Sequence, residues 1–199
     1  MIKNLLLLWL AAFPMMGSPG PATISLAGIG TAFGFRRSAA YLAGIISGTL
    51  AVLAMIAAGV TALLLAVPAL VTVLMTASAA YIVYLAWRIA SAPVGATRVT
   101  DEKRPSFAAG FILAIANPKA FAAIGSVYSG HDLHGADLAV NTVAKIAALA
   151  FVIVAVNAAW LAFGSAFSHI LTDARSGRVA SMIFAAMLLV SAASMLTGY

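Results

Sequence analysis

Two short stretches containing proline interrupt apolar runs that otherwise have the composition of helices. The first is "GSPGPA", residues 17–22, and the second is "ANPKA", residues 116–120. Proline removes a backbone donor and clashes with the preceding helical turn, so each stretch predicts a break in a helix. Asn117 is a preferred N-cap residue and Pro118 suits the first helical position, which indicates that a new helix begins there.

A helix that begins inside a membrane exposes backbone amide donors and the positive end of its dipole, and both favour an anion such as a carboxylate. We predict that Gly20 and Pro21 present such donors and that Lys119 supplies the positive charge facing them. Asn157 either lines the same pocket or makes a hydrogen bond between helices. The predicted substrate-binding residues are Ser18, Pro19, Gly20, Pro21, Ala22, Asn117, Pro118, Lys119 and Asn157.

Simple proline kinks are the alternative, because transmembrane helices tolerate them. Lys119 argues against this alternative, since an ammonium in the middle of a span costs at least roughly 2.5 kcal/mol and normally faces a cavity or a partner. The nearer end of the apolar run that contains Lys119 is about ten residues away, roughly 15 Å, which is too far for the lysine side chain to reach the membrane interface.

The composition shows what kind of element must position these residues. Hydrophobic residues make up 64% of the 199-residue chain and charged residues 8%, against about 45–50% and about 25% in soluble domains. Several apolar runs are long enough to cross a hydrocarbon core of about 30 Å. We therefore predict an all-α, polytopic membrane protein, because a bilayer offers no partner to an open sheet edge.

The charges divide the chain into six predicted transmembrane spans. The start of the chain resembles a signal peptide, but the apolar character continues to Phe35, so it is assigned to the first span. Pro68 is predicted to form the turn between the second and third spans. The spans cover residues 4–35, 39–66, 69–90, 106–129, 138–168 and 179–197.

Lysine and arginine lie mainly on one side of this arrangement. Eight of them flank one face of the spans, and the other face has only Lys3 and Lys145, the latter expected to reach the membrane interface. The positive-inside rule then places both termini outside the cytoplasm. The cytoplasmic linker 91–105 divides one transporter domain, residues 1–199, into three-helix repeats, 1–90 and 106–199. Because three is odd, these repeats are inverted, with the breaks of spans one and four near the midplane.

Other features favour structural interpretations. "HDLH", residues 131–134, could hold a metal with Asp137, but a solvated outer loop is favoured. Gly44 and Gly48 are spaced for close helix packing. No phosphate loop or nucleophile constellation is present, so neither an enzyme nor a cofactor is expected. The net charge of +6 is spread over short gaps, which does not indicate a nucleic-acid partner, and the chain has no cysteine.

Three stretches together resemble the LysE/RhtB family of bacterial amino-acid exporters. They are "GSPGPATISLAGIGTAFGFRRSAAYLAGIISG", "ASAAYIVYLAWRI" and "AGFILAIANPKAF", and the similarity covers most of residues 15–125. The family is marked by P-G-P-A in the first span, here residues 19–22, and by N-P-K in the fourth, here residues 117–119. The resemblance implies a six-helix transporter of the inner membrane that exports amino acids or related small metabolites, coupled to the proton motive force.

The sequence departs from that family in two places. Many relatives have an acidic residue shortly after the glycines of span two, where this chain has Thr49, and no Asp or Glu lies inside any predicted span. Any proton-carrying side chain would then be Lys119 or a histidine such as His169. The aromatic and proline signature that often follows N-P-K is also missing.

Two other classes of function stay open, as does the formation of a homodimer. One is a non-transporting membrane subunit or assembly factor, whose breaks only shape a docking surface. The other is an ion or metal carrier.

Overall fold

The computed structural model describes residues 2–59, 68–91, 106–133, 137–170 and 174–197. Within these ranges all regular secondary structure is α-helical, as the composition predicts. The helices are α1 (Ile2–Gly17), α2 (Pro21–Phe33), α3 (Phe35–Ala57), α4 (Pro68–Ala90), α5 (Phe107–Ile115), α6 (Pro118–Gly130), α7 (Leu138–Ile170) and α8 (Ala174–Thr197).

Both predicted helix breaks are confirmed. The axes of α1 and α2 differ by 63°, and those of α5 and α6 by 60°. Pro21 is the first residue of α2 and follows Gly20, whose backbone is extended. Pro118 is the first residue of α6, and the Asn117 side chain caps that helix by accepting a hydrogen bond from the Lys119 amide at 3.2 Å. The proline at each start lacks only a donor that the helix would not have used.

By length and composition, two helices of the described residues can cross a membrane, Phe35–Ala57 and Leu138–Ala166. The number rises to four if each bent pair counts as one span. Shorter apolar stretches occur at Ala79–Ala90 and Arg178–Ala193. The protein is therefore an all-helical membrane protein with two to four candidate spans among its described residues.

The helix in the predicted second span has different ends from those expected. It begins at Phe35 and ends at Ala57, and residues 60–66 of the predicted span lie outside the described residues. Gly59 adopts a φ of +72° and its amide donates to the Ile56 carbonyl at 3.0 Å, a left-handed conformation that ends helices and that glycine adopts readily. Pro68 is the first residue of α4, and residues 60–67, which precede it at the predicted turn, lie outside the described residues.

Glycines allow α3 and α5 to pack closely. A Cβ atom on Gly44 would collide with the Phe107 carbonyl oxygen, and one on Gly48 would lie 2.7 Å from the Ala114 Cβ. The predicted packing role of these two glycines is thus confirmed. Because residue numbers rise together along both helices, α3 and α5 run parallel.

The broken pair α1 and α2 runs along α7, also in parallel. The Trp9 indole donates to the Ala148 carbonyl at 3.2 Å, and further on the Thr31 hydroxyl donates to the Gly164 carbonyl at 3.0 Å. The helices α4 and α8 pack on each other, with Arg178 near the start of α8 donating to the Ala90 carbonyl at the end of α4, 2.9 Å away.

The buried apolar side chains of the described residues form two clusters. The first cluster is built mainly from α2, α4, α5 and α8, with Leu26 and Leu113 among its fully buried residues. The second cluster is built mainly from α1, α6 and the first half of α7, with Leu8 and Ile124 fully buried. Each broken helix therefore gives one half to each cluster, and the two breaks lie at the junction between them.

Candidate functional site

The Lys119 side chain joins the two helix breaks. It begins in the first turn of α6, and its ammonium donates hydrogen bonds to the carbonyl oxygens of Ser18 and Pro19, the latter at 3.1 Å. A Cβ atom on Gly20 would lie 2.6 Å from the Lys119 Cδ and 3.0 Å from its Nζ. The aliphatic part of the lysine thus crosses directly over Gly20.

The break leaves these two carbonyl groups without the amide donors that a continuous helix would supply. They also lie just beyond the negative end of the α1 dipole, where a cation is favoured. Lys119 satisfies both conditions at once, which accounts for an ammonium far from either predicted end of its span.

Thr23 organises the start of α2 and was missed by the sequence analysis. Its hydroxyl accepts from the Gly20 amide at 2.9 Å and lies 3.1 Å from the Gly20 carbonyl oxygen. The prediction that Gly20 and Pro21 present free donors is therefore wrong: the Gly20 amide is occupied, and proline has no amide hydrogen. A threonine three residues after a helix-capping residue is a recognisable signal of this arrangement.

A small cavity of about 40 Å³ lies between the breaks. Five predicted site residues line it: Gly20, Ala22, Asn117, Lys119 and Asn157. The other four do not form its wall, although two of them, Ser18 and Pro19, hold Lys119 through their carbonyls and the other two, Pro21 and Pro118, begin α2 and α6. The lining residues that sequence reasoning missed are Met16, Thr23, Thr49, Ala120, Ala123, Ile124, Ile153 and Val156.

Neutral polar groups surround Lys119, which is the single charged side chain among the described residues that line this cavity. Asn117 is 5% exposed and Asn157 is 6% exposed. The Asn157 amide nitrogen donates to the Ile153 carbonyl at 2.7 Å, and its oxygen has no hydrogen-bond partner among the described residues. The side-chain amide nitrogen of Asn117 likewise has no hydrogen-bond partner among the described residues. These two buried amides offer one free acceptor and one free donor to a polar ligand.

The cavity is too small for an amino acid as it stands. A water molecule needs about 10–15 Å³ by this measure, so 40 Å³ accommodates only a few waters. Small-molecule sites usually occupy roughly 300–1,000 Å³. An amino acid can therefore enter only if the helices around the breaks move apart.

A larger cavity of about 420 Å³ lies between α1 and α7. Its lining is apolar, apart from Trp9, whose indole donor is already bonded to Ala148. None of the described residues in its wall is charged, so they offer no group that would select a charged metabolite.

A second polar cluster ties the loop after α6 to α7. The Lys145 side chain is 9% exposed, and its ammonium lies 3.2 Å from Asp132 and 3.0 Å from the Tyr128 carbonyl oxygen. The Asn141 amide donates to Asp132 at 2.8 Å. Lys145, expected only to reach the interface, therefore has specific partners in the protein.

The metal-binding alternative depends on the histidines and the aspartates of this loop. The His131 ring nitrogen Nδ1 lies 3.1 Å from the Val127 carbonyl oxygen, and His134 lies outside the described residues. Across the described parts of the chain, no three histidine, aspartate or glutamate residues form a group that could hold a metal ion.

Asp132→Asn tests the loop cluster through its pH dependence. Hydrogen bonds from Asn141 and Lys145, and the Lys145 charge, lower the pKa of Asp132 from its ordinary value of 3.8. A lowered folded-state pKa stabilises the protein above the ordinary value, and this stabilisation is lost only as the pH falls through the lowered value. We expect the substitution to lower the Tm of the purified protein equally at about pH 7 and about pH 5. A decrease at one of these two pH values only would contradict this assignment.

These features define a class of protein. Helices long enough to cross a membrane, two helices broken within their apolar length, and a polar cavity at the breaks are typical of membrane transporters. The chain belongs to the LysE type translocator family, whose sequence model matches residues 13–198. Comparisons with curated proteins and with solved structures found no match. The protein is therefore a membrane transporter.

Proposed function

We propose that this protein is a secondary transporter that exports amino acids or related small metabolites across the bacterial inner membrane, driven by the proton motive force. One observation carries the proposal. The Lys119 ammonium, the only charge among the described residues that line the cavity, lies where the two broken helices meet. The family match to nearly the whole chain agrees with a transport function.

In this proposal the nine predicted residues form one substrate site. Lys119 pairs with the substrate carboxylate, and the first turns of α2 and α6 add the positive ends of their dipoles. Asn117 and Asn157 hydrogen-bond the polar groups of the substrate. The small residues Gly20 and Ala22 let the substrate approach the backbone, and the prolines at residues 19, 21 and 118 keep the helices broken.

We extend the proposal to six spans, with both termini outside the cytoplasm and inverted repeats at 1–90 and 106–199 joined by the linker 91–105. Spans that alternate in direction make the first parallel to the fifth and the second parallel to the fourth. The parallel packing of α1 and α2 with α7, and of α3 with α5, is what such an arrangement requires.

Transport then follows from the two apolar clusters. If the cluster that contains α1 and α6 tilts against the one that contains α2 and α5, the cavity widens toward one side of the membrane or the other. The breaks are natural hinges, because their backbone is not held by a continuous helical hydrogen-bond ladder. Since no predicted span contains an acidic residue, proton coupling falls to Lys119 or to His169, whose side chain lies outside the described part of the structure.

Comparison of the culture medium of overexpressing and deletion strains tests this function. We expect one amino acid, or a few related ones, to accumulate several-fold in the medium of the overexpressing strain. The matched control is Gly125→Ala, since a Cβ on this glycine of α6 meets nothing within 4 Å. This variant should export like the unmodified protein at equal abundance in the membrane.

The competing function is a non-transporting subunit or assembly factor. In that case the medium would be unchanged and a partner protein would copurify in fixed stoichiometry. That pair of results would overturn the transport proposal.

A further inference from the structure

The Lys119 ammonium is bound by carbonyl oxygens, which form a site suited to any primary ammonium group. The carbonyls of Ser18 and Pro19 converge on one nitrogen, and the helix break leaves them without amide donors of their own. Both residues are exposed, and the Ser18 carbonyl also accepts a hydrogen bond from the Thr23 hydroxyl at 3.3 Å. The negative end of the α1 dipole adds to their preference for a cation.

Gly20 provides the space for this contact. Its φ of −170° is extended backbone that any residue can adopt, so conformation does not require a glycine here. The available space does require a glycine, because a Cβ on residue 20 would lie 2.6 Å from the Lys119 Cδ. Glycine at residue 20 thus leaves room for the lysine side chain to reach the two carbonyls.

We propose that the carbonyl pair of Ser18 and Pro19 is an ammonium subsite, which Lys119 fills in the empty protein and which the α-ammonium of a zwitterionic substrate takes over when its carboxylate pairs with Lys119. This inference rests on the proposed function for the identity of the substrate. Lys119 then acts as a tethered occupant that keeps the subsite filled between transport cycles.

The exchange explains how so small a cavity can be selective. Lys119 must break its hydrogen bonds to the two carbonyls before it pairs with the substrate. Only a ligand that has both an anionic group for Lys119 and an ammonium for the carbonyls replaces these interactions. A simple carboxylate leaves the Pro19 carbonyl unpaired and the Ser18 carbonyl with the Thr23 hydroxyl alone, and a simple amine competes with the lysine. The buried amides of Asn117 and Asn157, each with an atom that lacks a partner among the described residues, supply further contacts for the same ligand.

Chemical rescue tests the subsite without any transport measurement. Lys119→Ala removes the ammonium from the carbonyl pair. The methylammonium ion should therefore bind there, and methylammonium chloride should raise the Tm of the purified variant by a few degrees. Tetramethylammonium chloride at the same concentration has no N–H donor and should not raise it. The unmodified protein and Gly125→Ala, whose subsite is filled by Lys119, should not respond to methylammonium.

Gly20→Ala provides a second test if Lys119→Ala does not fold. The added methyl group displaces the lysine from the carbonyls and leaves its charge in place, so methylammonium should raise the Tm of this variant as well. Equal responses to methylammonium in all variants, or equal effects of the two salts, would overturn the subsite. If methylammonium rescues the variants but the unmodified protein does not export amino acids, the subsite is supported and the proposed function is contradicted. If the unmodified protein exports amino acids but methylammonium does not rescue the variants, the proposed function is supported and the subsite is contradicted.

Discussion

Lys119→Ala is expected to reduce export strongly. Among the described residues of the proposed site, this side chain is the only full positive charge available to the substrate carboxylate. The substitution also removes the ammonium that the carbonyls of Ser18 and Pro19 bind, although the Ser18 carbonyl keeps the Thr23 hydroxyl as a donor at 3.3 Å. Losing a hydrogen bond to a charged group costs about 1.5–3 kcal/mol, which corresponds to a decrease in efflux rate of about 10-fold to about 150-fold. The measurement is the efflux of a preloaded amino acid identified from the culture medium.

The control for this variant is Gly125→Ala, on the same helix and without a steric neighbour. Both proteins must be present in the membrane at the abundance of the unmodified protein. Lys119→Arg separates charge from shape: it keeps the charge, but the wider guanidinium has to pass the backbone at Gly20. We expect Lys119→Arg to retain part of the activity. Efflux by Lys119→Ala at the unmodified rate would show that Lys119 has no part in the site.

The sequence was sufficient to predict the local events at the breaks. Proline, glycine and Asn117 set backbone conformation through their own geometry, so the starts of α2 and α6 follow from residue type alone. The end of α3 could not be placed, because the residues after Gly59 remain apolar and only the left-handed conformation of that glycine ends the helix. Composition does not reveal which glycine adopts it.

The partners of the polar residues depend on tertiary packing and could not be predicted. Lys119 was expected to face backbone donors at the first break, and it is instead held by backbone acceptors 100 residues and more away in the sequence. Thr49 drew attention only as a departure from the family pattern, yet it lies in the cavity wall. The pairing of Lys145 with Asp132 likewise requires the loop to fold back on α7.

The closest approach of α2 and α7 depends on Gly164. A Cβ atom there would collide with the Ala27 carbonyl oxygen and would also lie 2.6 Å from both the carbonyl carbon and the Cα of Ala27. All three atoms belong to the backbone, so no side-chain rotation can relieve the collision. Gly30 faces α7 in the same way, since its Cβ would lie 2.7 Å from the Leu161 carbonyl oxygen.

Gly164→Ala is therefore expected to cause a large loss of stability. The two helices must separate, and overpacking of this kind costs about 1–3 kcal/mol; because only backbone atoms are involved, we expect the upper end. For a chain of this length, about 3 kcal/mol lowers the Tm by roughly 6–12 °C. Thermal unfolding of the purified protein measures it, with Gly125→Ala as the control that adds the same methyl group in open space. Equal Tm values for the two variants would show that α2 and α7 are not held in this close contact, which would also remove the support that their parallel packing gives to the six-span arrangement.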